Sequence, residues 1–267
     1  MMPPMPAYDA YIFDLGGTVY LGDALLPNAG RTVSTLRRQG RRTVFLSNNP
    51  THTAADYSAK LTRLGLPTPV EDIVNSSIVM ADFLARLRHA EGIHRLFVIG
   101  ERPLCDVLSQ AGFDLVDNAA DTQAVIASFD RTFVYRKLQI AFDAIRAGAR
   151  FFATNGDRFC PVPGGGEPDA ASIIAAIEAC TTVRCEAVVG KPSRHMTDAI
   201  LTLTGAPAER CLIIGDRLET DVQMGLDAGM GAALTLTGAT TREAAAANPV
   251  KPTFVFRDLG DLLEQAL

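Results

Sequence analysis

Four separated stretches of this sequence end an apolar run on residues that carry charge or hydrogen-bonding groups. In Tyr11 to Tyr20, YIFDLGGTVY, Asp14 closes the run and Gly16, Gly17 and Thr18 follow. In VFLSNN, from Val44, Ser47 and Asn48 follow; in VVGKP, from Val188, Lys191 follows a glycine. In Leu212 to Asp221, LIIGDRLETD, Asp216 ends a strongly apolar run, with Glu219 and Asp221 beyond it. Carboxylates held at strand exits are hard oxygen ligands suited to Mg²⁺, which takes one or two of them and keeps several waters. The paired glycines let backbone amides curl toward an anion, and a hydroxyl with amide groups binds phosphate oxygens without adding charge. Each stretch alone also has an ordinary explanation. Asp14 can cap a strand-turn, Ser47 and Asn48 can cap a helix, Lys191 can be a surface charge, and Glu219 and Asp221 can be helix-start acids favoured by the dipole.

These groups converge only if parallel strands carry them, because the carboxyl ends of such strands open onto one crevice. The pattern along the chain supplies such strands. Short apolar runs at Tyr11 to Phe13, Thr43 to Leu46, Leu96 to Ile99, Ala124 to Ala127, Arg150 to Ala153, Ala187 to Val189 and Cys211 to Ile214 read as buried strands. Between them, Ala29 to Arg38, Ala54 to Leu64, Ile78 to Arg88, Leu138 to Ala147, Ala170 to Cys180 and Met196 to Leu203 repeat apolar residues at helical spacing. The fold class is therefore α/β, a parallel sheet flanked by helices.

A length of 267 residues allows one large domain or two smaller ones, and 48% hydrophobic against 21% charged residues supplies enough apolar surface for real cores. A net charge of −5 gives no field for attracting nucleic acid or anionic lipid, so neither is an expected partner. Five scattered cysteines without a CxxC pair point to thiols in a reducing compartment, the cytoplasm. Met1 to Ala7 holds three prolines and reads as a frayed leader without a targeting signal, and no apolar run is long enough to cross a membrane. His52, His89, His94 and His195 have no metal-site spacing and read as ordinary residues. The stretch PVPGGGEP, Pro161 to Pro168, suits either a shaped turn near a ligand or an ordinary surface loop.

Taken in order, the motifs resemble the haloacid dehalogenase-like hydrolase superfamily, in its NagD-like and nitrophenylphosphatase-like branch. The likeness runs through FDLGGTVYLGD, FLSNNPT, TNGDRFCPVPGG, GKP, GDRLETDVQMGLDAGM and LTLTG, nearly the whole chain. It implies a Rossmannoid core from residues 1–79 and 187–267, with residues 80–186 forming an inserted α/β cap. It also implies a phosphatase acting on a small phosphorylated metabolite. On this resemblance Asp14 is the nucleophile that becomes an aspartyl phosphate, splitting one displacement into two. Mg²⁺ is held by Asp14, the Gly16 carbonyl and Asp216, with Asp221 acting through water or by fixing its loop. Lys191 neutralises charge, and Gly17, Ser47, Asn48 and Lys191 orient the phosphoryl group. The cap candidates for substrate selection are Asp130 and Arg158, with Arg131, Asn155, Asp157 and the Pro163 to Glu167 turn beside them. The resemblance further implies pairing of two copies into a homodimer through their caps.

One position breaks the pattern. The family places a second aspartate two residues after the nucleophile, where this chain has Gly16. That carboxylate protonates the leaving alcohol and later deprotonates the attacking water, a task worth ~10²–10⁴-fold. Glycine does neither, although its carbonyl keeps the metal contact. The expectation is a phosphatase scaffold impaired on alkyl phosphates. The alternatives are an enzyme whose leaving group needs no acid, a non-catalytic phosphoryl-ligand sensor, and, last, a receiver-like phospho-acceptor domain, whose usual length leaves the inserted segment unexplained.

Overall fold

The computed structural model describes residues 6–162 and 164–266. Met1 to Met5, most of the expected leader, and Pro163, in the expected turn, lie outside the described residues. From the N-terminus run β1 (Ala10–Asp14), the short hairpin of β2 (Tyr20–Leu21) and β3 (Ala24–Leu25), α1 (Ala29–Arg38), β4 (Arg42–Ser47), α2 (Ala54–Arg63) and β5 (Ile73–Asn75). Next come α3 (Ser76–Glu91), β6 (Arg95–Ile99), α4 (Arg102–Gln110), β7 (Asp114–Leu115), β8 (Ala124–Ala127), α5 (Tyr135–Arg146) and β9 (Arg150–Ala153). The hairpin β10 (Phe159–Val162) and β11 (Gly165–Pro168), then α6 (Ala170–Thr181) and β12 (Ala187–Val188), follow. The chain closes with α7 (Arg194–Thr204), β13 (Cys211–Gly215), α8 (Gln223–Asp227), β14 (Gly231–Thr235), α9 (Arg242–Ala247), β15 (Phe254–Phe256) and α10 (Gly260–Ala266).

The chain divides into two compact units. The first takes in the chain through Ser47, Ala54–Val74 and Thr197–Leu267. Its sheet has the order β15-β14-β13-β1-β4-β5, and β1 pairs in parallel with both β13 and β4. β1 is buried along its whole length, as a central strand covered on both faces must be. Its two neighbours come from opposite ends of the sequence, so the strand order reverses beside it. That reversal opens a crevice at the carboxyl ends. Register places Phe13 beside Phe45 and Ile214, and the Phe13 and Phe45 rings stack at 5.8 Å. α1 follows its sequence pattern closely: Ala29, Val33 and Leu36 are buried, and Arg37 and Arg38 sit in the last turn, where cations offset the helix dipole. Burying Val33 and Leu36 contributes about 1.5–3 kcal/mol each.

The second unit takes in Asn48–Thr53 and Asn75–Met196 around a five-stranded parallel sheet, β12-β9-β8-β6-β7. Val125, Phe151, Ala144, Ile145, Ile173 and Ile177 form its core, joining the sheet to α5 and α6. α6 starts at Asp169, whose carboxylate accepts from the Ala170 amide at 2.6 Å, and α3 starts at Asn75, whose Oδ1 accepts from Ile78 at 3.1 Å.

The division falls at residues other than the sequence-based boundaries. The start of α3, the GKP segment and Asn48–Thr53 group with the second unit. The contacts give the reason: Phe83 on α3 packs edge-on against Phe152 of β9 at 5.0 Å and against His195 at 4.8 Å. The elements that periodicity does not reveal are β5, β7, β14, β15, α4, α8, α9, α10 and the two hairpins. They are short, or, like GAALT of β14, built from small residues that give little hydrophobic signal. The PVPGGGEP stretch is largely a hairpin, with Phe159 opposite Pro168 and Val162 opposite Gly165, and Gly164 takes φ +87° at its tip.

Candidate active site

β1 delivers Asp14 at its carboxyl end, opposite Leu46 of β4 and one residue from Ser47. β13 delivers Asp216 directly after its last residue, Gly215. A π-helical turn, Leu218–Val222, then brings Asp221 back toward the same place. Asp14, Asp216 and Asp221 are all buried, and each offers a carboxylate oxygen within 4.8 Å of the others. Among the described residues this is the one such cluster of potential metal ligands, and no histidine takes part.

At Gly17, Gly215 and Gly238 the backbone approaches these carboxylates too closely to carry a side chain. Gly17 adopts φ +87°, and a Cβ there would lie 2.5 Å from Asp216 Oδ2. A Cβ on Gly238 would collide with the same carboxylate, and a Cβ on Gly215 with Asp221. The Ala239 amide donates to Asp216 Oδ2 at 2.6 Å, and the Arg217 amide donates to Asp221 Oδ2 at 3.2 Å. Thr237 Oγ1 donates to the Gly17 carbonyl at 2.6 Å, tying the loop after β14 to the loop after β1. Gly238 and Ala239 are site residues that the four motifs did not single out; the LTLTG segment, Leu234 to Gly238, was their signal.

Gly16 is the opposite case. It is exposed, its φ lies outside the left-handed region, and no atom lies within 4 Å of a Cβ built there. Glycine at this position is therefore not a steric requirement of the loop. Glu219 is exposed. Ser47 is buried at the end of β4, with Oγ 3.0 Å from Tyr57 Oη.

In the second unit, Lys191 is buried and its backbone is clamped by one side chain. Asn48 Oδ1 accepts from the Lys191 amide at 2.7 Å, while Asn48 Nδ2 donates to the Lys191 carbonyl at 3.2 Å and to Asp157 Oδ2 at 3.0 Å. Both amide hydrogens of Asn48 are thereby committed to protein. The Asn48 side chain, expected to orient phosphate, holds the Lys191 backbone in the structure. Gly190 is required here, since a Cβ would lie 2.6 Å from the Thr154 carbonyl and 2.7 Å from Asn48 Oδ1.

The expected substrate-selecting residues separate into two kinds. Asp130 has a fully buried side chain that accepts from the Thr132 amide and hydroxyl and from Lys137 Nζ at 2.5 Å, so it builds a turn and an internal ion pair. Arg131 lays its guanidinium against both oxygens of Glu101, at 2.7 Å each. That hydrogen-bonded pairing holds the Glu101 carboxyl below its ordinary range despite partial burial. Asn155 is buried and donates to Asp157 and Asp169. Arg158, like Arg131, is exposed.

Comparison with known proteins agrees with this arrangement. Residues 11–114 match the family described as haloacid dehalogenase-like hydrolase, and residues 188–262 match the HAD-hydrolase-like family. The chain is 41% identical over 236 residues to the sugar-phosphatase AraL of Bacillus subtilis, covering 88% of this chain and 85% of that one. The structure of a 4-nitrophenylphosphatase from Thermotoga maritima superposes with a TM-score of 0.91 at 36% identity, covering 97% of this chain and 98% of the other. NagD from Escherichia coli K-12 superposes with a TM-score of 0.86 at 27% identity, covering 96% and 98%. The two family matches, with likeness over nearly the full length of these relatives, place the chain among the haloacid dehalogenase-like hydrolases, to whose NagD-like and nitrophenylphosphatase-like branch it belongs.

Proposed function

We propose that this protein is a Mg²⁺-dependent phosphatase that hydrolyses monoesters of small phosphorylated metabolites through a phosphoaspartate on Asp14. The observation that carries this reading is the buried cluster of Asp14, Asp216 and Asp221, with oxygens within 4.8 Å of one another. Ionised carboxylates that close repel by roughly 3 kcal/mol per pair at an effective dielectric of about 20. A divalent cation offsets that repulsion, and an all-oxygen, hard donor set fits Mg²⁺ better than softer ions. Asp14, Asp216 and the Gly16 carbonyl would hold it, with Asp221 acting through water or by fixing its loop. When bound, the cation neutralises charge between nucleophile and phosphate and orients in-line attack.

The chain's own residues then divide the work. A carboxylate oxygen of Asp14 forms a bond to phosphorus as the ester oxygen leaves; water next attacks the same phosphorus, releasing inorganic phosphate and regenerating Asp14. Backbone amides of the Gly16-Gly17 loop and the Ser47 hydroxyl hold phosphoryl oxygens. Lys191 neutralises charge on them. The second unit serves as the cap that selects the leaving group, and the enzyme works in the cytoplasm as a homodimer. Gly16 supplies no proton to that group, so turnover on alkyl phosphates is reduced and on activated esters less so.

Gly16 also supports a second reading, a phosphoryl-ligand binding protein without turnover. Phosphate release from 4-nitrophenyl phosphate, with and without Mg²⁺ and beside Asp14→Asn, separates the two. We expect metal-dependent turnover that the amide variant eliminates. Turnover independent of Mg²⁺, or retained in full by the variant, would remove Asp14 from its role; phosphate binding without turnover would select the second reading.

A further inference from the structure

The clamp on Lys191 has a residue behind it. Asp157 lies in the loop after β9, and its Oδ2 accepts from two amides, Asn48 Nδ2 at 3.0 Å and Asn155 Nδ2 at 3.2 Å. Asn155 is itself fully buried and held by two further bonds: its Nδ2 also donates to Asp169 Oδ1 at 3.0 Å, and its Oδ1 accepts from Thr154 Oγ1 at 2.8 Å. Asp169 in turn caps α6. A relay of hydrogen bonds therefore runs from a helix terminus through Asn155 and Asp157 to Asn48, and from Asn48 to both backbone groups of Lys191.

The direction of each bond matters. An ionised carboxylate only accepts hydrogen bonds, whereas a side-chain amide has one accepting and one donating end. Asp157 therefore dictates which end of Asn48 turns toward it. With the NH₂ on the carboxylate, the Oδ1 is left facing the Lys191 amide. A flipped amide would set oxygen against carboxylate at one end and donor against donor at the other. The accepting oxygen of Asp157, with the Lys191 carbonyl and amide, thus fixes the orientation of Asn48. Asn48, bonding the Lys191 N–H and C=O together, fixes the Cα from which the lysine side chain departs.

We propose that Asp157 is a positioning residue for Lys191, acting through the Asn48 amide. This rests on the reading of Lys191 as the cation that neutralises the phosphoryl group. Misplacing such a charge by about an ångström costs on the order of 100-fold.

The test is a double-mutant cycle on 4-nitrophenyl phosphate with saturating Mg²⁺, using Asp157→Ala, Lys191→Met and the double variant. We expect Asp157→Ala to lower kcat by roughly 10- to 100-fold. The same substitution made on Lys191→Met should cost less than about 3-fold, because a residue that works through the ammonium has nothing left to position. Asp157→Asn retains an accepting oxygen and should recover most of the loss. Additive losses, or a loss confined to KM, would overturn the proposal. A Lys191→Met variant with full turnover would overturn the underlying reading and the proposal with it, whereas additivity leaves that reading standing. Should Asp157→Ala fail to fold, a swap replaces it. Asn48→Asp sets two carboxylates together and should lose activity, and adding Asp157→Asn should restore at least about tenfold by exchanging donor and acceptor; no recovery would count against the relay. Calorimetric titration with inorganic phosphate and Mg²⁺ gives a readout independent of turnover, in which affinity should follow the same non-additive pattern.

Discussion

Two adjacent glycines in the loop after β1 have opposite physical status. Gly17 needs its missing Cβ, because φ +87° is a left-handed conformation and the added carbon would press on Asp216 Oδ2. Gly17→Ala should cost about 1–3 kcal/mol of stability and displace Asp216. Thermal unfolding with and without Mg²⁺ would register both, as a lowered midpoint and a weakened metal response. Gly16 needs nothing of the kind, since an added Cβ meets open space. Gly16→Asp should therefore fold normally and raise turnover on an alkyl phosphate by ~10²–10⁴-fold, with a smaller rise on a nitrophenyl ester, whose leaving group needs less protonation. Initial-rate assays on the two esters check this; equal or negligible changes would mean that the missing acid is not the limiting defect. Asn48 teaches a related lesson. Its residue type suits phosphate binding, but its side-chain amide bonds Asp157 and both backbone groups of Lys191.

At the level of elements, strands aim the site and loop contacts hold it. Glu101 precedes α4 and Arg131 follows β8, so their bidentate pair ties two segments of the second unit. Hydrogen bonding from Arg131 keeps the Glu101 carboxyl below its ordinary value of 4.5. The unfolded chain then binds the proton more tightly than the folded one, and stability rises with pH across that interval. The pair's contribution is present in full above 4.5 and is lost as pH falls through the folded value. Glu101→Gln should lower the unfolding midpoint near neutral pH, and the gap from the parent should close in acid. Midpoints measured from about pH 3 to about pH 7 test it; a gap that is constant with pH would remove the ion pair as its cause. The periodic elements were legible because they bury a face. α1 coincides with its expected span, Ala29 to Arg38. β14 and β15 were not legible, because β14 is largely Gly and Ala, and β15 has only three residues.

For the whole molecule, a cation held as proposed by the acidic cluster would couple metal binding to folding. A cation that binds only the native state stabilises it by about 2.7 kcal/mol at a hundredfold excess over Kd, or about 2–4 °C per kcal/mol in unfolding midpoint. Mg²⁺ should raise the midpoint accordingly. Asp216→Asn should blunt that rise while raising the metal-free midpoint, since it removes one of three like charges and keeps an oxygen for the Ala239 amide. An unchanged metal response would dissociate Asp216 from the cation. Among the described residues no helix is long and apolar enough to cross a membrane, and no disulfide joins the cysteines. The sequence by itself determined the layered α/β class and the strand-end motifs, because burial periodicity and residue chemistry are local properties of a chain. Only the tertiary structure decided which side chains are committed elsewhere. Asp130 and Arg131 are taken by ion pairs, Asn48 by Lys191, and Gly238 is required by Asp216. Hydrogen-bond capacity and free volume depend on neighbours far away in sequence, and only packing assigns those neighbours.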